Sequence, residues 1–160
     1  MNITDIVKLQ YKDINKDTLT FIRSKTEKTN RSSRPVLVIL NDFCLDVIEK
    51  YGTKPKHHDS YIFPIISDSY TKEENRRKTK NFIRAINQNF LKYAKNLGID
   101  EDISTYWARH SFATNAIRSG ASFELISEML SHTSLMTTKN YFAGFETDEK
   151  RKIAGKLMEF

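Results

Sequence analysis

The sequence predicts a mainly helical α+β domain that carries a small three-stranded antiparallel sheet. Three observations lead there. Two β-branched and aromatic runs, Thr18–Arg23 (TLTFIR) and Pro35–Leu40 (PVLVIL), sit close together behind the turn signal Asn15-Lys16-Asp17. From Asn41 onward the apolar residues recur at helical spacing almost to the C-terminus. The chain has 160 residues with 39% hydrophobic and 11% aromatic content, which is one domain's worth of material with enough apolar mass for a core.

Taken in order, Ile3, Ile6, Val7 and Leu9 recur at helical spacing with no cap ahead of Met1. Residues 3–10 are therefore expected to be the end of a helix begun upstream, and the chain to be a fragment. The strands follow, with a basic loop from Lys25 to Arg34 at one end of the sheet. Asn41 or Asp42 caps a helix bearing Phe43, Val47 and Ile48 that stops at Gly52. His57-His58 reads as loop filler, because adjacent side chains point to different sides of most backbones. Tyr61–Ile66 is short and apolar, expected to be extended and docked on the core. The longest helix spans about Thr71 to Leu97 and ends at Gly98, with Phe82, Ile86, Phe90 and Leu97 as its apolar stripe. Its charged first half, Lys72–Lys80, reads as a solvated face. Further helices run from Thr105 to Ser119, from Ser122 to about Ser131, from Ser134 through Tyr141, and from Thr147 to Met158.

Composition excludes several classes. The apolar and aromatic content is too high for a disordered tail. No apolar run approaches the ~20 residues of a bilayer crossing. A single Cys44 excludes an internal disulfide and a cysteine-built metal site. With no secretory leader, the cytoplasm is the expected compartment. A net charge of +6 favours an anionic partner, nucleic acid first.

The stretch 105–145, TYWARHSFATNAIRSGASFELISEMLSHTSLMTTKNYFAGF, carries the chemistry. Arg109 sits in a helix otherwise rich in Trp107, Ala108, Phe112, Ala113, Ala116 and Ile117. His132 ends a helix, and Tyr141 follows nine residues later. Singly, each has a structural account: an ion pair, a cation at a helix C-terminus, an amphipathic core residue. Together they are the parts of phosphodiester chemistry: a fork for two phosphate oxygens, a proton-carrying imidazole and a phenol nucleophile.

"ARHSFAT" followed by "LSHTSLMTTKNYF" resembles the catalytic core of the site-specific tyrosine recombinases, the phage-integrase family, whose motifs read Arg-His-Ser/Thr-Phe-Ala-Thr, then Leu-Gly-His, then a Tyr nine residues after that His. "NITDIVKLQYKDI" is similar to the family's first box and "FIRSKT" to its β-hairpin lysine segment, so the resemblance covers residues 1–160. "TYWARHSFATNAIRSG" is most similar to integrases of Bacteroides-type mobile elements. The resemblance implies a DNA strand transferase that acts on double-stranded DNA through a 3′-phosphotyrosine, with neither cofactor nor metal. It implies Tyr141 as nucleophile, Arg109 as the second catalytic arginine, His132 as the third-box residue on the scissile phosphate, and Lys25 as general acid. It further implies an N-terminal core-binding domain, expected to be missing from these 160 residues. The C-terminal helix at 146–160 would dock in trans in a homotetramer on DNA, and the chain would be a monomer without DNA.

Two positions depart from the family pattern. Asn2 stands where the first catalytic arginine is expected, and Tyr106 stands at the His of His-x-x-Arg. A phenol donates a hydrogen bond but brings no cation. Arg23 is two residues from Lys25, so on a regular strand both face the same way, and Arg23 is the candidate substitute for the missing guanidinium. His110 is expected to be buried and structural. The alternatives are a catalytically impaired DNA-binding relative and a type IB topoisomerase-like nicking-closing enzyme.

Overall fold

The computed structural model describes residues 1–24, 35–132 and 134–156. The expected basic loop Lys25–Arg34 lies outside the described residues, as do Thr133 and Leu157–Phe160. The chain divides into two compact units, Met1–Thr105 and Tyr106–Phe160.

In the first unit the opening helix is short. It spans Ile3–Ile6 (α1), not residues 3–10. Buried Val7 and Leu9 bracket exposed Lys8, so the chain leaves the helix on a path that puts alternate residues inside. Gln10 then bridges Tyr61, and the Ile62 amide donates to the Leu9 carbonyl at 2.8 Å. Tyr61–Ile66 is thereby docked, with Ile62 and Ile66 buried.

The sheet is antiparallel in the order β1 (Ile14–Asn15), β2 (Thr18–Phe21), β3 (Val36–Ile39). Lys16, at φ 57°, turns the chain between β1 and β2. The period-2 alternation puts Leu19, Phe21 and Val36 inward against Leu9, Leu40 and Ile62, and leaves Leu37 and Ile39 exposed. Burial of each such side chain contributes ~1.5–3 kcal/mol, which anchors a sheet this small. β2 stops at Phe21, so Arg23 lies beyond the ladder and the strand alternation that pairs it with Lys25 does not extend to it. Beyond Arg23, the Ser24 amide donates to the buried carboxylate of Asp5 in α1 at 2.9 Å, which fixes the chain's exit from the sheet.

Helix α2 (Asp42–Tyr51) is capped by Asn41, whose side chain accepts from the Cys44 amide at 3.0 Å. It ends at Gly52 for reasons of space. At φ −69° the backbone suits any residue, but a Cβ there would overlap the Ile48 carbonyl and the Tyr11 hydroxyl. Helix α3 (Lys72–Asn96) opens with a reciprocal cap between Thr71 and Glu74, and those hydrogen bonds hold the Glu74 carboxyl below the usual range. It closes at Gly98 in the left-handed region, φ 77°. Its stripe is shorter than expected. Ala94 is buried and Phe82 and Ile86 are half-buried, whereas Phe90 and Leu97 are exposed.

The second unit holds α4 (Trp107–Arg118), α5 (Phe123–Met129), α6 (Leu135–Lys139) and α7 (Thr147–Lys156). Its core is Ala113, Ile117, Ile126 and Leu130, flanked by half-buried Phe123, Tyr141 and Phe142. Tyr141 is not in a helix: α6 ends two residues before it, and it opens the segment leading to α7. Among the described residues no helix is long and apolar enough to cross a membrane.

Candidate active site

Arg109, His132, Tyr141 and Tyr106 come together within the second unit, and each is placed by a local device. Arg109 lies on the inward side of α4 with Ala113, Thr114 and Ile117, and is itself buried. Its Nη2 donates to the Leu130 carbonyl and approaches His132 Nε2 at 3.1 Å. His132 is set by the end of α5. Ser131 takes the left-handed conformation, φ 53°, while the Ser131 amide donates to Glu128 and the His132 amide to Ser127, both at 2.8 Å. This is a Schellman closure with serine at the position that favours glycine, the place of Gly in Leu-Gly-His. Ser134 caps α6 by accepting from the Met136 amide at 3.2 Å. α6 in turn brings the buried Thr138 hydroxyl to His132 Nδ1 at 2.9 Å.

Two hydrogen bonds orient the imidazole. A guanidinium only donates, so Nε2 accepts from Arg109. With Nε2 as acceptor, the tautomer that carries its proton on Nδ1 fits the contact with Thr138 Oγ1.

The Tyr141 ring stacks on His132 at 5.0 Å between centroids with the planes 24° apart, and the Arg109 guanidinium carbon lies 5.6 Å from its centroid. Its hydroxyl is hydrogen-bonded to that of Tyr106. His110 is exposed, not buried as expected, and its ring lies 4.6 Å from that of Tyr141. It lies on the side of α4 that meets Tyr141, which the nearby apolar residues Ala108 and Phe112 do not reveal in the sequence.

Three further residues escaped the sequence reading: Thr138, Thr114 and Arg118. Thr114 Oγ1 donates to the Tyr141 carbonyl and accepts from the Ala143 amide, each at 3.2 Å. Arg118 donates to the Gly144 carbonyl from Nε at 3.1 Å and from Nη2 at 2.9 Å, and pairs with Glu146. The signal that could have found Thr114 and Arg118 is the four-residue spacing Tyr106, His110, Thr114, Arg118; nothing of that kind marks Thr138. Arg23 belongs to the first unit, and Lys25 lies outside the described residues. No group of three or more His, Cys, Asp or Glu able to hold a metal ion occurs among the described residues.

Residues 1–147 match the family model described as "Phage integrase family". The chain is 25% identical over 130 residues to the tyrosine recombinase XerC of Syntrophus aciditrophicus, covering 81% of this chain and 42% of that protein. It is 32% identical over 120 residues to the tyrosine recombinase XerD of Oceanobacillus iheyensis, covering 69% and 36%. It thus spans less than half the length of these relatives. Among solved structures, the Tn1549 transposon integrase in complex with transposon right end DNA shares its fold, with a TM-score of 0.65 and 15% identity over 99% of this chain and 55% of that one.

Proposed function

The chain belongs to the phage integrase family, and on that premise we propose that it is the catalytic domain of a site-specific tyrosine recombinase that cleaves and rejoins duplex DNA. The observation that carries this reading is the meeting of one phenol, Tyr141, with Arg109 and His132, the groups that phosphodiester chemistry needs. The names of the relatives and the DNA in the Tn1549 complex support it, as does the net charge of +6.

In the proposed reaction Tyr141 Oη attacks phosphorus and the bond to the 5′ oxygen breaks, leaving a 3′-phosphotyrosine and a 5′-hydroxyl. The phenol proton leaves to water, and Lys25 delivers one to the departing 5′ oxygen. Attack by the 5′-hydroxyl of a partner strand reverses the step, so no bond energy is lost and no metal or cofactor enters. Arg109 stabilises the phosphorane, where a planar charged fork meets two oxygens at once. For His132 to donate to a phosphate oxygen, Nε2 must gain a proton. The Thr138 hydroxyl accommodates the change, because it can donate to Nδ1 as readily as accept from it.

Arg23 is the proposed substitute for the guanidinium that Asn2 does not provide, and Arg23→Ala is then more damaging to cleavage than Asn2→Ala. The proposed working assembly is a homotetramer on DNA in the bacterial cytoplasm, with residues 146–160 docking in trans and a monomer in the absence of DNA. A Bacteroides-type mobile element is the proposed context, in line with the string TYWARHSFATNAIRSG.

The test uses the full-length protein on nicked suicide duplexes tiled across the DNA flanking its gene, the stretch in which the ends of a mobile element lie. A covalent protein–DNA adduct that vanishes in Tyr141→Phe is expected. Absence of adduct on every duplex that binds would leave a DNA-binding relative. Nicking and closing without exchange between two sites would mark a topoisomerase-like enzyme.

A further inference from the structure

Tyr141 lies past the end of α6, where its amide still donates to the Thr138 carbonyl at 3.0 Å but the helix does not continue, yet a nucleophile has to be presented to a phosphorus to better than ~1 Å. The second unit contains a device for this. Tyr106, His110, Thr114 and Arg118 follow one another at four-residue intervals, which sets them in a row along one side of α4. They meet the segment 141–146 in chain order. The Tyr106 hydroxyl bonds the Tyr141 hydroxyl, and the His110 ring packs on the Tyr141 ring at 4.6 Å. Thr114 uses its one hydroxyl twice, as donor to the Tyr141 carbonyl and as acceptor from the Ala143 amide. Arg118 closes the row with two bonds to the Gly144 carbonyl and a charged bond to Glu146, with Glu149 at 4.0 Å. Gly144, at φ 93°, is where the chain turns away toward α7.

We infer that this row is a docking track for residues 141–144 of the same chain, and that Arg118 is a positioning residue whose two bonds to the Gly144 carbonyl fix how the Tyr141 hydroxyl is presented. The inference rests on Tyr141 being the nucleophile. Side-chain packing alone leaves the Tyr141 ring free to slide along the faces of His132 and His110, since stacking is tolerant of offset. The backbone bonds to Thr114 and Arg118 remove that freedom, because each specifies one carbonyl or amide. Arg118 suits the end of the row: its fork holds one carbonyl with two N–H groups while a third reaches the Glu146 carboxylate, a geometry that lysine cannot copy.

The experiment compares wild type, Arg118→Met, Arg118→Lys and Thr114→Val in the full-length protein. Three readouts are taken: affinity for the suicide duplex, the rate of adduct formation at saturating DNA, and hydrogen exchange at the amides of residues 143–146. Arg118→Met is expected to slow adduct formation by at least about tenfold, the scale of a small misplacement of a reacting group. Its DNA affinity should stay within about twofold of wild type, and exchange at 143–146 should quicken while α5 is unchanged. Arg118→Lys should fall between the two. Thr114→Val, nearly isosteric, should repeat the pattern of Arg118→Met without touching its charge, and guards against a folding defect of that variant. Unchanged exchange at 143–146, or an adduct rate equal to wild type, overturns the inference. So does a loss of affinity matching the loss of rate, which would make Arg118 a DNA contact. If wild type itself forms no adduct, the reading of Tyr141 as nucleophile has failed, and the exchange measurement alone decides whether the track exists.

Discussion

Arg109 Nη2 lies 3.1 Å from His132 Nε2, and the same nitrogen donates to the carbonyl of Leu130. One guanidinium thus ties the end of α5 to α4 while it stands over the Tyr141 ring. A lysine offers a point charge and cannot hold both acceptors from one rigid plane. Arg109→Lys is therefore expected to lower adduct formation by about 10²-fold or more, in line with removal of a preorganised donor at a developing oxyanion. The Leu130 carbonyl, on a buried residue, also loses its partner, which costs ~1–3 kcal/mol and should appear as a lower Tm. Normal cleavage by Arg109→Lys would show that the fork is not what the reaction uses.

Thr138 acts one step behind His132. Its hydroxyl is fully buried and meets Nδ1 at 2.9 Å. Thr138→Val keeps the shape and removes the partner that serves Nδ1 whether or not that nitrogen carries the proton. The expected outcome is a roughly tenfold slower cleavage at unchanged DNA affinity, with a stability cost of ~1 kcal/mol for the lost bond. A pH–rate profile is the specific check. If Thr138 governs the proton on His132, the profile shifts along the pH axis; if the residue only fills space, the curve keeps its position and merely drops.

The sequence made the architecture legible where a local rule sufficed. Asn41, Thr71, Ser122 and Ser134 each cap the helix that follows, because a short polar side chain ahead of an amphipathic run has one good use there. The strands were readable from β-branched content, although β2 ends at Phe21, two residues short of Arg23. What local pattern could not supply was tertiary. Periodicity extended a helix through Tyr141, whereas α6 ends at Lys139 and the segment beyond it is held by side chains of α4 more than twenty residues away in sequence. The same long-range packing explains His110. Ala108 and Phe112, two residues away on either side, are apolar, but its place in the row from Tyr106 to Arg118 sets it against the Tyr141 ring. Arg109, His132 and Tyr141 each alone have an ordinary structural role; together they read as the parts of phosphodiester chemistry, and the resemblance gave each its part.

Ser131 offers a test of backbone conformation. A side chain at φ 53° is disfavoured, and a β-branched one far more so than serine. Ser131→Gly should fold with a Tm at or above that of wild type, whereas Ser131→Val should lose ~1–2 kcal/mol and several degrees of Tm. Because the His132 amide closes the same turn, Ser131→Val should also cleave more slowly. Equal Tm values for the two variants would contradict the left-handed turn.

Glu49 gives a test in pH. Hydrogen bonds from Lys54 and Lys56 hold its carboxyl at about 2, below the ordinary 4.5. A lowered folded-state pKa means that the pairing is present above 4.5 and is lost as pH falls from there toward 2. The cluster is solvent-exposed, so its effect on stability near neutral pH is small and screened by salt. Glu49→Gln should accordingly leave Tm at pH 7 almost unchanged and flatten the acid limb of a Tm-against-pH curve. An acid limb identical to wild type would mean that the ion pairs do not persist in solution.

Tyr106 stands where the family motif carries histidine, and its hydroxyl meets that of Tyr141. Two roles follow from that one contact. Before DNA binds, the pair of phenols holds the Tyr141 hydroxyl in a single place. In the proposed reaction the Tyr106 hydroxyl would then be a neutral donor close to the Tyr141 oxygen. Tyr106→Phe removes both roles and keeps the ring that lies 5.8 Å from that of Tyr141, so the packing survives. Cleavage at saturating DNA should slow by about 10²-fold, the low end of the range for a lost neutral donor, with affinity unchanged. Tyr106→His restores a donor, and one that can carry charge. It should recover most of the rate below about pH 6.5, where an ordinary imidazole is protonated, and less above it. Failure of Tyr106→His to outperform Tyr106→Phe at any pH would show that the site uses the Tyr106 ring and not its hydroxyl.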